Sequence, residues 1–363
     1  MGPEKSLNSG AWSRRGALRA IGASAAAAVL GACDRRASSE SKVVLYSSAD
    51  DEILKQVVAA FEKSSGVKVG VVTDTEATKT TGLVQRLLDE KDRPRADVWW
   101  SSEPLGSVRL AREGVLAEHT PGALAAGRPD VLNARAKWFV MPGRARVIAY
   151  STTRVQAKDA PDRVLAVPAA GRGRVGMARP QFGTTRAHMA AMLARAGEPV
   201  FTSWLGEMKG AGVRLYDGNA SVVRAISQGE VDVGLTDSDD VYAAQRNGWK
   251  VGMVLEGFDD ASAPAPTPAP ALSRMGTVVL PNTAGLVAGG PNAGAAAGLL
   301  DFLLSEEVER MLAASESRHI PVRPSVARDF PGNTVPSQAS LDFEKIADAV
   351  PRAMQLCQSM LEN

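Results

Sequence analysis

Apolar and polar positions alternate in two periods along this chain. Val43-Val44-Leu45-Tyr46-Ser47-Ser48 is a β-branched and aromatic run ending in serines, which reads as a buried strand and a loop. Ile53, Val57, Ala60 and Phe61 then recur at helical spacing. The order repeats with a strand over 67–72, a helix over 83–88 and a strand over 96–100 that ends in Ser101-Ser102-Glu103. Beyond Arg144 the pattern predicts strands over 146–150, 175–178, 213–216 and 231–235, with helices over 184–196, 222–228 and 240–245. Strands over 277–280 and 284–287 and helices over 293–304 and 308–313 close the series. Such alternation implies an α/β protein with mostly parallel sheet and helices on both faces. No repeat of fixed period is present, and the Ala/Pro stretch 261–272 reads as an exposed polyproline-like loop.

The first 32 residues follow a different rule. A basic opening, an apolar run from Ala17 to Leu30 and small residues have the build of an export signal. Leu30-Gly31-Ala32-Cys33 resembles a bacterial lipobox, making Cys33 the lipidation site, and Ser13-Arg14-Arg15-Gly16 resembles a twin-arginine signal. The run has about 14 apolar residues, short of the ~20 that span a bilayer. Residues 1–32 are thus expected to be a signal peptide and 33–41 a flexible tether. The expected location is outside the cytoplasm, as a membrane-anchored lipoprotein facing the periplasm or the cell exterior. The leader carries four of the 42 Lys+Arg and one of the 40 Asp+Glu, so 38 and 39 remain and the net charge is −1. That near-neutral body offers no field for nucleic acid. With Cys33 lipidated, Cys357 has no partner for a disulfide, and it reads as a plain residue of a C-terminal helix. Three dispersed histidines, His119, His188 and His319, argue against a histidine-built zinc enzyme.

LYSSADDE, AFEKSSGVKVGVV and ADVWWSSEP together resemble the opening of ABC-transporter solute-binding proteins of the ferric-iron-binding type. RARVIAYST is similar to that family's crossover strand, GEVDVGLTDSDD to its GEVxxGLxxxYY segment, and GLLDFLLSEEVERMLA with HIPVRP to its closing helix and tail. The resemblance spans about residues 42–326. It implies a two-lobed periplasmic-binding-protein type II fold, each lobe a mostly parallel sheet flanked by helices. Lobe 1 would be 42–148 plus 274–326, lobe 2 would be 149–273, and 327–363 a C-terminal helical tail. The implied role is the substrate-binding component of an ABC importer that captures a small solute between its lobes: a metal ion with its anion, or a small anion or zwitterion. The implied partners are a permease and its ATPase, with the receptor a monomer and no resident cofactor. A bound metal, Fe³⁺ or another, would come with a synergistic anion. A signalling receptor on the same scaffold is the alternative, and an exported enzyme a remoter one, since no GxSxG or SxxK motif at a helix start is present.

Candidate ligand residues lie just past strand ends. Ser47, Ser48, Ser101 and Ser102 offer hydroxyls and free N–H groups, or else turn and cap chemistry. Glu103 matches a family position that ligates metal in some members; otherwise it is a solvated acid. Gly183, Thr184 and Thr185 open a helix whose N–H groups and dipole favour an anion, with Arg186 adding charge; a plain threonine N-cap is the other reading. Asp237, Asp239 and Asp240 stand where ferric binders carry a tyrosine pair, and acids there serve as hard oxygen ligands for a metal, as partners for an ammonium, or as caps. Tyr242 follows at helical spacing, which suits packing. Asp74–Thr81 reads either as a loop across the cleft mouth, with Thr78, Lys79 and Thr80 near the solute, or as a plain helix-initiating segment. Trp99, Trp100, Trp138, Trp204 and Trp249 read as core or lobe-surface residues and not as a stacking platform.

Overall fold

Strand β1 (Lys42–Ser47) sends Val43 and Leu45 into one apolar layer and Tyr46 into the opposite one, as a period of two requires when both faces are covered. Helix α1 (Asp51–Ser65) answers from the first layer with Ile53, Leu54, Val57 and Phe61, and ends at Gly66 in the left-handed region, φ +70°. The chain continues through β2 (Lys68–Thr73), α2 (Thr81–Asp89), β3 (Val98–Ser101), α3 (Pro104–Arg112) and β4 (Leu116–Ala117). The long strand β5 (Phe139–Ser151) leads to α4 (Val167–Ala170), β6 (Val175–Ala178), α5 (Gly183–Ala196), α6 (Glu198–Gly210) and β7 (Arg214–Tyr216). Then come α7 (Asn219–Gln228), β8 (Val233–Asp237), α8 (Ser238–Arg246), β9 (Val251–Val254) and β10 (Val279–Val287). Helices α9 (Ala293–Leu303), α10 (Glu306–Ala314), α11 (Pro324–Asp329) and α12 (Phe343–Leu361) complete the chain. This computed structural model describes residues 42–74, 80–126, 137–171, 174–181, 183–257, 276–335 and 337–362. The expected leader, tether, Cys33, Thr78, Lys79 and polyproline-like loop lie outside them.

Among the described residues the sheet runs β2-β1-β3-β10-β5-β8-β6-β7, with β4 added to β10 and β9 to β5. Pairs β1–β2, β1–β3, β6–β7 and β6–β8 are parallel, while β5 and β10 run antiparallel to their neighbours. The sheet is therefore mixed, with parallel outer strands on either side of the crossing strands. β5 joins the halves: Phe139–Ala145 pair with β10, and Arg146–Tyr150 pair with β8. One half sits between α1, α9 and α10 on one face and α2 and α3 on the other; the second sits between α5, α6 and α12 and, opposite, α7 and α8. Trp99, Trp100, Trp138 and Trp204 are buried in these layers, and Trp249 packs at their margin. No described helix is long and apolar enough to cross a membrane.

Two expectations change here. β5 begins at Phe139 and runs straight through Pro142 and Gly143, and the strands expected over 277–280 and 284–287 are one strand, β10, with a register shift between Pro281 and Thr283. A bulge tolerates the missing N–H of Pro281, and Gly143 permits the close approach. A Cβ on Gly143 would lie 2.6 Å from the Leu280 carbonyl oxygen and 2.7 Å from the Pro281 Cα. Gly143→Ala should therefore lower stability by about 1–3 kcal/mol by forcing the crossing strands apart. Urea denaturation measures this, and an unchanged midpoint would show that the junction yields.

Helix α12 packs on α5 and α6 of one half and on α3 of the other. Arg112 of α3 pairs with Glu344 and Asp348 at 2.7 Å each, and Arg352 of α12 pairs with Glu198 of α6.

Candidate functional site

The carboxyl ends of β1, β3 and β8 and the start of α5 converge on a cleft of about 480 Å³ between the two halves. Asp50, Ile53, Ser102 and Ala314–Ser317 line it from the first half; Gly183–Thr185, Asp217–Ala220, Asp237, Asp239 and Asp240 line it from the second. Arg144 enters from β5, close to where the pairing of that strand changes. The lining holds seven carboxylates against three guanidinium groups, so the cleft favours a ligand with positive charge.

Asp237, Asp239 and Asp240 present carboxylate oxygens within 4.8 Å of one another, in a group able to hold a metal ion. Their tasks differ. Asp237 closes β8 and is 2% exposed; it accepts from Arg146 Nη1 at 2.6 Å, Thr184 Oγ1 at 2.5 Å and Asn219 Nδ2 at 2.9 Å. It stands at the N-cap position of α8 yet makes no side-chain cap bond. Both its oxygens are engaged within the protein, while Asp239 and Asp240, in the first turn of α8, line the cleft beside it. Asp239 lies 3.0 Å from Arg144 Nη1, which also reaches Asp50 at 3.6 Å. Burial alone would lower the Arg144 pKa, but the carboxylates of Asp239, Asp50, Asp237 and Asp240 outweigh it and raise the pKa, fixing the positive charge. Among the described residues, Arg144 Nε is buried without a hydrogen-bond partner.

Behind the cleft, Arg146 is 3% exposed and binds Thr184 Oγ1 at 3.2 Å and Asn219 Oδ1 at 3.1 Å, while its Nε donates to His188 Nδ1 at 3.3 Å. Burial, then the Arg146 charge, hold the His188 pKa well below its ordinary value. His319, beside Arg144, is lowered to about 3, chiefly by burial and then by that guanidinium. Both rings are therefore neutral when folded but take protons when unfolded below the ordinary histidine value of 6.5. Stability should be full above about pH 6.5 and fall as pH drops toward 3, with a limiting slope near 1.4 kcal/mol per pH unit for each histidine. Glu103 acts in the opposite sense, since burial raises its pKa and favours the folded state at low pH. Urea denaturation from pH 7.5 to 4.5 measures the balance; a flat profile would contradict it.

Gly183 starts α5 with φ +55° and open space where a Cβ would stand. Thr184 and Thr185 line the cleft with their hydroxyls already engaged: the first donates to Asp237 and the second to Asn219 Oδ1 at 3.2 Å. What this end of α5 offers a ligand is the backbone N–H groups of its first turn.

The serines divide. Ser102 lines the cleft, and its N–H donates to Ser48 Oγ at 3.0 Å. Ser48 also accepts from Thr80 Oγ1 at 3.1 Å, while Ser47 receives the Ala49 N–H at 3.1 Å and Ser101 donates to the Glu103 carbonyl at 2.6 Å. Ser47 and Ser48 line a neighbouring cavity of about 400 Å³ with Asp50, Asp51, Thr73 and Asp74. The turn chemistry that competes with ligand binding is thus the local fact for Ser47 and Ser101, while Ser48 is held by Ser102 and Thr80, which are distant in sequence. Glu103, named above with Asp239 and Asp240 as a metal ligand, is turned away from them. It is 2% exposed and caps α3, accepting from Leu105 N at 2.6 Å and Gly106 N at 2.9 Å. Arg186, expected beside Thr185, also points away from the cleft, into a second cavity that Glu103 lines. Tyr242 does not line the cleft; Arg318 lies over its ring at 4.8 Å.

Asp50, Arg144, Arg146 and Asn219 escaped the sequence reading. A signal for the arginines was present: in RARVIAY they alternate with Ala145 and Val147, on the face that Ile148 and Tyr150 continue into the core. A charged residue on the buried face of a strand requires a partner, and such partners gather at sites.

A family model described as bacterial extracellular solute-binding protein matches residues 43–315. The Major ferric iron-binding protein of Neisseria meningitidis serogroup B is 26% identical over 294 residues, covering 79% of this chain and 83% of that protein. Iron uptake protein A2 of Synechocystis sp. is 28% identical over 319 residues, covering 85% and 86%. Iron-bound HitA from Pseudomonas aeruginosa superposes with a TM-score of 0.72 at 22% identity, covering 88% of this chain and 99% of that one. Trichodesmium IdiA (FutA), solved with iron and citrate, gives 0.70 at 20% identity, covering 89% and 100%. The fold is that of the periplasmic ferric-binding proteins, a two-lobed type II binding protein. A match over most of the chain, on a cleft built from the ends of two half-sheets, makes this chain a member of the bacterial extracellular solute-binding proteins.

Proposed function

We propose that the chain is the exported solute-binding component of an ABC importer and that it captures a hard metal cation, Fe³⁺ foremost, together with an oxyanion. One observation carries the reading: Asp239 and Asp240 face a cleft between the halves in which Arg144, ion-paired to Asp239, keeps a fixed positive charge. Carboxylates are hard oxygen donors suited to a highly charged cation. The guanidinium and the first N–H groups of α5 are the complementary place for an anion that completes the coordination. Relatives named for ferric iron binding and for iron uptake support the cation, and the iron and citrate in the IdiA (FutA) structure support a metal held with an organic anion. Carboxylates standing in place of the family's tyrosine pair mean a ligand set of oxygen donors with weaker charge donation than phenolate.

Capture works by closure of the halves about β5 and β10, with no covalent step. A permease and its ATPase receive the closed form, and a lipid at Cys33 would hold a monomeric receptor near them, raising its local concentration. A second reading, a zwitterion with an amine toward the acids and an anionic group toward Arg144, is favoured by the two signs of charge within one cleft. Metal analysis and native mass spectrometry of protein purified without chelators separate the two. About one iron per chain is expected; metal-free protein retaining an organic amine would replace the first reading by the second.

A further inference from the structure

A second cavity, of about 310 Å³, lies on the side of the inter-half contact away from the acidic cleft. Successive residues face the two spaces: Ser102 and Thr185 line the cleft, Glu103 and Arg186 the second cavity. Its walls come from α2 and α3 of one half, α5 of the other, and α12 across the gap. Val84, Leu105 and Val350 give it an apolar side, all three being buried. Three guanidinium groups, Arg109, Arg112 and Arg186, border it, against the carboxylates of Glu103 and Glu113.

Two of these charges already have tasks. Arg112 is held by Glu344 and Asp348, and Glu103 caps α3 through both oxygens. Among the described residues, Arg109 makes one long hydrogen bond, 3.5 Å, to Gln85 Oε1. Arg186 is partly buried and, among the described residues, makes no hydrogen bond; it faces Glu103 in attraction and Arg109 in repulsion. A guanidinium has five N–H donors, and Glu103, whose oxygens are committed to capping α3, offsets the charge of Arg186 without accepting a hydrogen bond from it among the described residues.

We propose that this cavity is a ligand site of its own, taking a small organic anion whose carboxylate or phosphonate sits between Arg109 and Arg186 and whose short apolar tail lies against Val84, Leu105 and Val350. Arg109 and Arg186 belong to opposite halves, so the anion favours the spacing of the halves that brings them together. The site thereby couples to closure without touching the cleft.

Calorimetric titration with sodium butyrate tests this, with n-butylamine as the control of opposite charge. Butyrate binds and the amine does not. Arg186→Gln and Arg109→Gln each weaken butyrate by about tenfold, the scale of one charge-assisted contact. Arg109 is exposed, so Arg109→Gln keeps the fold and the test stands even where Arg186→Gln does not express. Absence of butyrate binding up to about 10 mM, weaker than any useful site, would overturn the proposal. Binding that both variants leave unchanged would equally overturn it, by assigning the anion to the Arg144 cleft.

Discussion

Arg323→Ala should lower the unfolding free energy by about 3–5 kcal/mol, the usual loss when one partner of a buried ion pair is removed. Arg323 and Glu309 are each 1% exposed and 2.5 Å apart. Arg323 Nη2 also donates to the Leu304 carbonyl at 2.8 Å and the Ala125 carbonyl at 3.3 Å. Glu309 Oε1 accepts the N–H groups of Val322 at 2.8 Å and Arg323 at 2.6 Å. Alanine would leave a carboxylate and several carbonyls desolvated without donors. The effect should reach the cleft, because this lock ties down the segment that supplies Ala314–Ser317 to its wall and pairs Ile320 with Gly143 of β5. Arg323→Met with Glu309→Gln should recover part of the loss, since no full charge then remains buried. The recovery is incomplete because the Val322 and Arg323 N–H groups lose a charged acceptor. Urea denaturation decides it: a loss below about 1 kcal/mol for Arg323→Ala would mean that water reaches Glu309.

Much of the scaffold was legible because burial on both faces of a sheet imposes short, unmistakable periods. Val43, Leu45 and Tyr46 announce β1, and Ile53, Val57 and Phe61 announce α1. The crossing strands were harder to read, since Pro142, Gly143 and Pro281 are ordinary breakers in isolation. Only the antiparallel contact between β5 and β10, with its bulge, makes them compatible with strand. Helices α3 and α6 were not expected at all; proline interrupts a helix interior, but Pro104 and Pro199 sit in first turns, where a missing N–H is harmless.

The site was legible by position and less so by role. Strand ends carrying serines and acids do converge, but local hydrogen bonds claim Ser47, Ser101 and Glu103, distant ones claim Ser48, and a sequence gives no sign of which side of a turn an oxygen faces. The charge partners were illegible for a different reason. Arg146 and Asp237 are 91 residues apart, and nothing local in either segment points to the other. Both arginines sit on a strand whose neighbours are apolar, so only the fold reveals what neutralises them.

Asp239→Asn with Asp240→Asn should weaken metal binding by at least a hundredfold, about 2.7 kcal/mol, while leaving the fold intact. Neither carboxylate carries the buried network, which rests on Asp237, Arg146, Thr184 and Asn219. The amides keep the shape of the acids but remove two negative charges from the first turn of α8, a loss of a few tenths to about 1 kcal/mol per residue for the helix. They also leave Arg144 with Asp50 as its remaining close ion pair, so the cleft turns from acidic toward neutral. A purely capping role predicts a small loss of stability and unchanged affinity; a ligand role predicts the reverse ordering of effects. The direct measurement is an equilibrium titration of the apo chain with ferric citrate, comparing the natural protein and the double variant. Stoichiometric binding by the first and a loss of at least about a hundredfold by the second is the expected result. Equal affinity in both proteins would contradict metal capture by Asp239 and Asp240.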